Sequence, residues 1–170
     1  MSRMVDAVDM SDPLLSREVI EDLARHAQHD AILIRIPPSC EPLDYVASQL
    51  LERTAERDVK TLRIWGRGSA LLDRVAAGRE AAAESPVLMA LRSRFQSAKS
   101  RIELRGCDVP EGAAGIQALR ALAQALGVRV VGGVGSREGM DWLRAAYQAE
   151  PDGSCTQIRF TASALATENK

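Results

Sequence analysis

Apolar positions along the chain fall into two alternating periods, one helical and one extended. From Ser16 to Gln28, Val19, Ile20, Leu23, Ala24 and Ala27 recur at helical spacing. The pattern then changes to Ala31-Ile32-Leu33-Ile34-Arg35-Ile36, a nearly continuous run stopped by Pro37-Pro38, which reads as a buried strand. Pro42 suits a first helical turn, and Leu43, Val46, Ala47, Leu50 and Leu51 make one apolar face of a helix reaching to about Arg57. A second strand, Lys60 to Trp65, ends abruptly in Gly66-Arg67-Gly68-Ser69, where glycines permit a tight turn. Helical segments are expected over Leu71 to Ala83 and Val87 to Ser97, broken at Ser85-Pro86. A third strand, Ser100 to Arg105, runs into Gly106-Cys107-Asp108. Gly112 to Leu126 is amphipathic, with Ile116, Leu119, Leu122, Ala123 and Leu126 on one face and Gly127 as its C-terminal cap. Val128 to Val131 is a fourth strand, closed by Gly132-Gly133-Val134-Gly135-Ser136. A short helix near Glu138 to Ala149, a turn at Pro151-Asp152-Gly153 and an edge strand from Thr156 to Phe160 complete the pattern.

The resulting βαβαβαβ order predicts an α/β fold, because parallel neighbours need helical crossovers of this length. The expected architecture is a three-layer sandwich around a mostly parallel sheet of four to five strands, formed by residues 15–160 as one domain. Residues 1–14 are expected to be a loosely ordered, flexible leader and 161–170 a polar tail. A chain of 170 residues can close a core without disulfides or metals, and its 46% hydrophobic and 26% charged content matches ordinary globular domains. The net charge of −1 supplies no long-range field to draw a polyanion or an anionic membrane. Arg92, Arg94, Lys99, Arg101 and Arg105 read as a solvated basic face diluted by Glu103 and Asp108, so a nucleic-acid partner is not expected. Nor is a membrane partner: no apolar stretch approaches the roughly 20 residues of a transmembrane helix, and the N-terminus lacks the apolar core of a signal peptide. Cys40, Cys107 and Cys155, odd in number and widely spaced, form neither a disulfide framework nor a zinc pattern, which suits reduced thiols in a cytoplasm.

In an open parallel sheet, the loops leaving the carboxyl ends of the strands gather on one edge, where ligands bind. Gly66 to Ser69, Gly106 to Asp108 and Gly132 to Ser136 are the three loops that qualify, although each is also explained as an ordinary strand-to-helix turn. Cys107 follows a strand and a glycine and lies shortly before a helix. A thiol near a helix N-terminus is favoured as thiolate, which makes Cys107 a candidate nucleophile; the competing reading is a small buried apolar side chain. His26 and His29, three apart, have no third ligand nearby and read as a solvated helix end, so no metal is expected. Gly132 to Gly135 follows the fourth strand rather than the first and lacks an acidic ribose partner, so no dinucleotide cofactor, and no other cofactor, is expected.

Leu62 to Ser69, followed about 40 residues later by Ile102 to Val109, resembles the caspase-haemoglobinase fold of cysteine peptidases and its bacterial relatives. The resemblance spans about Ala31 to Val131 and implies a caspase-haemoglobinase or flavodoxin-like sheet. In that family one strand ends in a histidine-bearing glycine turn and the next in Gly-Cys, and histidine and cysteine form a dyad. Here Arg67 stands where the histidine would be. A guanidinium stays protonated in proteins, so it can neither take the thiol proton nor return one to a leaving amine. The resemblance therefore implies a non-catalytic, pseudo-peptidase domain acting as a binding or regulatory module for a protein or peptide. Arg67 with the backbone N–H groups around Gly66, Gly68, Ser69, Gly106 and Asp108 would form an electropositive nest suited to an acidic side chain or other anion. Arg67 can equally be exposed or paired with Asp108 or Asp73. Two alternatives remain: an active hydrolase with Cys107 as nucleophile and a base such as His26 or His29, or a redox-responsive thiol. Substrate, partner identity and oligomeric state are not encoded in any motif of the chain.

Overall fold

The computed structural model describes residues 3–25, 31–53, 58–66, 86–105, 112–133, 137–138, 141–142 and 145–159. Its centre is a seven-stranded sheet in the order β2-β1-β3-β4-β5-β8-β9. β1 (Arg3–Asp9), β2 (Ile32–Ile36), β3 (Val59–Trp65), β4 (Arg101–Arg105) and β5 (Arg129–Gly133) are mutually parallel, whereas β8 (Ala145–Ala149) pairs antiparallel with β5 and β9 (Cys155–Arg159) antiparallel with β8. β6 (Arg137–Glu138) and β7 (Asp141–Trp142) form a separate two-stranded ladder. The described helices are α1 (Pro13–Arg25), α2 (Pro42–Arg53), α3 (Pro86–Arg92) and α4 (Gly112–Leu126).

Layering follows from strand alternation. Ala7, Ile34, Leu62, Ile64, Ile102 and Leu104 point to one face, where they join Val46 and Leu50 of α2, Leu91 of α3 and Leu119 and Leu122 of α4 in the main core. Val8 and Trp65 point to the other face and meet Val19 of α1 in a smaller cluster. With helices on both faces, the sheet is the middle of a three-layer α/β arrangement. No helix among the described residues is long and apolar enough to cross a membrane.

The expected and observed elements differ in two places that matter. Part of the segment expected as a flexible leader is β1, a strand hydrogen-bonded on both sides, and the following helix begins at Pro13 rather than Ser16. Asp6 and Asp9 break the apolar run of this strand, yet both are buried because each carboxylate has partners. The helix expected over Glu138 to Ala149 is also replaced, by β6, β7 and β8. Ala145-Ala146-Tyr147-Gln148-Ala149 has strong helix formers, but pairing with β5 on one side and β9 on the other overrides that preference. These two additions bring the sheet to seven strands rather than four or five. Gly132 and Gly133, expected in a loop, are strand residues paired with Tyr147 and Ala146. The expected helix over 71–83 and the tail 161–170 lie outside the described residues.

Candidate functional site

The reversal in strand order places β1 and β3 side by side, with β2 beyond β1 and β4 beyond β3. Such a reversal is where open α/β sheets leave a crevice at their carboxyl edge. Each strand end here has its own local termination. After β1, Asp9 Oδ1 accepts from the backbone N–H of Ser11 at 3.0 Å and from its hydroxyl at 2.5 Å. Asp12 then caps α1, accepting from the N–H groups of Leu14 and Leu15 at 3.2 Å each, with Pro13 at the first helical position. Both carboxylates thus serve the turn into α1.

β3 and β4 end together. Their pairing runs to Trp65 opposite Arg105, and the Gly66 N–H continues it by donating to the Arg105 carbonyl at 3.4 Å. β3 and β4 therefore end at adjacent points on one edge, immediately before the sequences Gly66-Arg67-Gly68-Ser69 and Gly106-Cys107-Asp108. Gly66 is buried. Arg67, Gly68, Ser69, Gly106, Cys107 and Asp108 lie outside the described residues, as do His26 and His29.

Beneath this edge, on the α1 face, lies a charged ladder that the sequence reading missed. Asp6 of β1 receives Arg63 of β3 in a two-pronged contact, Nε to Oδ1 at 2.7 Å and Nη2 to Oδ2 at 2.6 Å. Trp65 donates its indole N–H to the same Oδ1 at 2.8 Å. On β4, Glu103 accepts from Arg101 Nε at 2.7 Å and from Arg105 Nε at 2.8 Å and Nη2 at 2.5 Å. The guanidinium carbons of Arg63 and Arg105 stand 5.8 and 5.5 Å from the Trp65 ring centroid, so the indole face meets cations from both strands. Burial by itself would push the Glu103 carboxyl up, but the charges of Arg105 and then Arg101, with their hydrogen bonds, outweigh it and hold the carboxyl below its ordinary value. Arg105, read from sequence as part of a solvated basic face, is only 4% exposed, whereas Arg92 and Lys99 are exposed as expected. The signal that could have revealed the ladder is alternation itself: Arg101, Glu103 and Arg105 share one face of a strand whose other face is Ile102 and Leu104.

The remaining thiols sit elsewhere. Cys40 packs half-buried against the main core after β2. Cys155, on β9, is pushed up by burial, an effect that Arg120 of α4 opposes through its charge and a hydrogen bond. No cluster of three or more His, Cys, Asp or Glu suited to a metal is found among the described residues. Comparison with known proteins adds no relative: no family model, no curated protein and no solved structure matches the chain.

Proposed function

We propose that this chain is a caspase-like domain whose catalytic histidine position is occupied by Arg67, and that it works as a binding or regulatory module rather than a peptidase. The observation that supports it most is the 3.4 Å contact between the Gly66 N–H and the Arg105 carbonyl, which brings the ends of β3 and β4 side by side. The parallel order β2-β1-β3-β4-β5, followed by antiparallel strands, supports a caspase-haemoglobinase or flavodoxin-like assignment. In this reading Cys107 lacks a histidine partner, and Arg67 with the backbone N–H groups of Gly66, Gly68, Ser69 and Gly106 receives an acidic side chain of a protein or peptide. Arginine suits such a role because its planar donor fork matches a carboxylate and its charge does not titrate away.

The test pairs binding with chemistry. Wild-type protein is expected to retain peptides bearing Asp, Glu or phosphate from a defined fluorescent library, and Arg67→Ala to lose them. Wild type is also expected to leave those peptides uncut. Arg67→His supplies a proton acceptor near neutrality and is expected to raise Cys107 alkylation between pH 6 and 7, near the histidine pKa of about 6.5. Cleavage by wild type that disappears in Cys107→Ser would replace this reading with that of an active hydrolase. Equal peptide binding by wild type and Arg67→Ala would remove the recognition role.

A further inference from the structure

We infer that β9 is a self-association edge: two copies of this chain pair their β9 strands antiparallel about a two-fold axis at Gln157, joining two sheets into one. The inference stands apart from the recognition reading, which concerns the carboxyl edge at β3 and β4.

The hairpin leading into β9 fixes which of its backbone groups face outward. Glu150 donates its N–H to the Ser154 carbonyl at 2.9 Å, and Gly153, at φ +87°, donates to the Glu150 carbonyl at 3.0 Å. From that first bonded pair onward, antiparallel partners alternate between those that exchange hydrogen bonds and those that do not. Gln148 with Thr156 and Ala146 with Ile158 therefore exchange bonds, whereas Ala149 with Cys155, Tyr147 with Gln157 and Ala145 with Arg159 do not. The N–H and carbonyl groups of Cys155, Gln157 and Arg159 thus point away from β8. β9 ends the strand order, and these groups have no hydrogen-bond partner among the described residues.

The opposite edge of the sheet is treated differently. There Arg53, at the end of α2, donates from Nη1 to the Leu33 carbonyl of β2 at 3.3 Å and so covers part of the open edge. β9 lacks the proline, lysine and bulge by which single edges are commonly blunted, and its register with β8 is continuous. Thr156 and Gln157 are exposed.

A second β9 is the occupant that this edge fits. Its open groups recur at Cys155, Gln157 and Arg159, evenly spaced about Gln157, so a two-fold rotation sets a donor against every acceptor. Gln157 then lies opposite Gln157 of the other copy. Thr156 lies opposite Ile158, on the face where Ile158 already packs with Val131 and Ala146, and β-branched cross-strand pairs of this kind stabilise a sheet. Charge favours the same direction. β9 starts beyond the turn bearing Asp152 and ends at Arg159, so antiparallel pairing sets the acidic end of each copy toward the basic end of the other. Parallel pairing would set like ends together.

Sedimentation of the full chain over a concentration series tests this. Wild type is expected to pass from the 18.4 kDa monomer to twice that mass as concentration rises. Gln157→Lys and Gln157→Glu change an exposed side chain, leave the β8 pairing intact and set like charges directly opposite at the axis. Each is expected to raise the dissociation constant about five-fold, and an equimolar mixture of the two to return it to the wild-type value or below. The Gln157 amide of wild type is expected to gain protection from hydrogen exchange along the same series. A wild-type chain that stays monomeric throughout overturns the inference; a Gln157 amide protected in that monomer would assign the edge to a segment of the same chain. Dimers of unchanged affinity in both single variants overturn it as well, because the contact then lies elsewhere. Peptide recognition through Arg67 can fail while this dimer stands, and the reverse.

Discussion

Trp65 donates its indole N–H to Asp6 Oδ1 at 2.8 Å across the β1–β3 pairing, and Arg63 fills both oxygens of the same carboxylate. One aspartate thus satisfies a buried aromatic donor and a guanidinium whose side chain is only 15% exposed. Asp6→Ala removes the acceptor that both share, and removing one partner of a buried ion pair costs about 3–5 kcal/mol. Asp6→Asn keeps a carbonyl for one of the donors and is expected to lose less. Replacing the pair together, Asp6→Leu with Arg63→Met, removes the stranded charge and should recover most of the loss. Urea unfolding midpoints order these variants; an Asp6→Ala protein as stable as wild type would mean that the contact carries no net stabilisation.

Glu103 makes the fold sensitive to acid with a defined sign. Its carboxyl is held below the ordinary value of 4.5 in the folded state, because Arg105 and Arg101 outweigh the opposing effect of burial. A depressed folded pKa contributes stability that is fully present above the unfolded value and is lost as pH falls through the folded one. The stability gap between wild type and Glu103→Gln is therefore expected to be constant near neutrality and to narrow once pH drops below 4.5. Unfolding midpoints measured from neutral pH down into that range decide it, and a gap that stays constant throughout contradicts the assignment.

The elements easiest to read in the sequence are those in which one physical preference acts alone. Gly112–Leu126 is a helix with the bounds its apolar face and Gly127 imply, and β3 and β4 agree with the apolar runs to within a residue. β1 was hidden because its burial depends on Arg63 and Trp65, 57 and 59 residues away, which no local pattern around Asp6 reveals. β8 was hidden for the opposite reason: its local preference is clear, helical, and overridden by two neighbouring strands. At the candidate site, the alternation of strands and helices put the strand ends on one carboxyl edge, but the adjacency of the β3 and β4 ends comes from the strand order, which no local pattern gives. The ladder beneath them was not legible either, since a run of arginines with one glutamate reads as solvated until the strand's alternation is applied to it.

Gly127 and Gly112 allow a controlled test of backbone strain, because both have φ of +62° and differ in what surrounds them. A Cβ at Gly127 would stand 2.8 Å from Arg92 Nε, whereas at Gly112 nothing lies within 4 Å. Arg92 is exposed, so its guanidinium has room to swing aside. Both Gly→Ala substitutions are therefore expected to cost the same, about 1–2 kcal/mol for the left-handed conformation alone. A distinctly larger cost at Gly127, read from thermal or urea unfolding, would mean that Arg92 is held in place rather than free to yield.

The cap on α1 gives a smaller and local effect. Asp12 Oδ1 serves the N–H groups of Leu14 and Leu15 at 3.2 Å, two donors that a helix start otherwise leaves to solvent. Asp12→Ala is expected to cost about 1 kcal/mol and Asp12→Ser much less, since a serine hydroxyl caps nearly as well. Because α1 covers Trp65 through Val19, the loss should also increase exchange of the indole N–H, which an equal change confined to the Pro13 turn would not do.

Cys155 sets the background against which any reactive thiol must be judged. Its pKa is raised by burial, with Arg120 lowering it only in part, so at pH 8 a smaller fraction is thiolate than for a free cysteine. In a Cys40→Ser/Cys107→Ser protein, Cys155 is expected to alkylate more slowly than a cysteine-containing peptide under the same conditions. Arg120→Met keeps the apolar packing and removes the opposing charge, so it should slow the reaction further. Rates equal to the peptide's would show that the strand edge solvates the thiol fully. Rates below it mean that a fast phase near neutral pH in the intact chain belongs to another cysteine, which is the condition for assigning such a phase to Cys107 once Cys40→Ser leaves it unchanged.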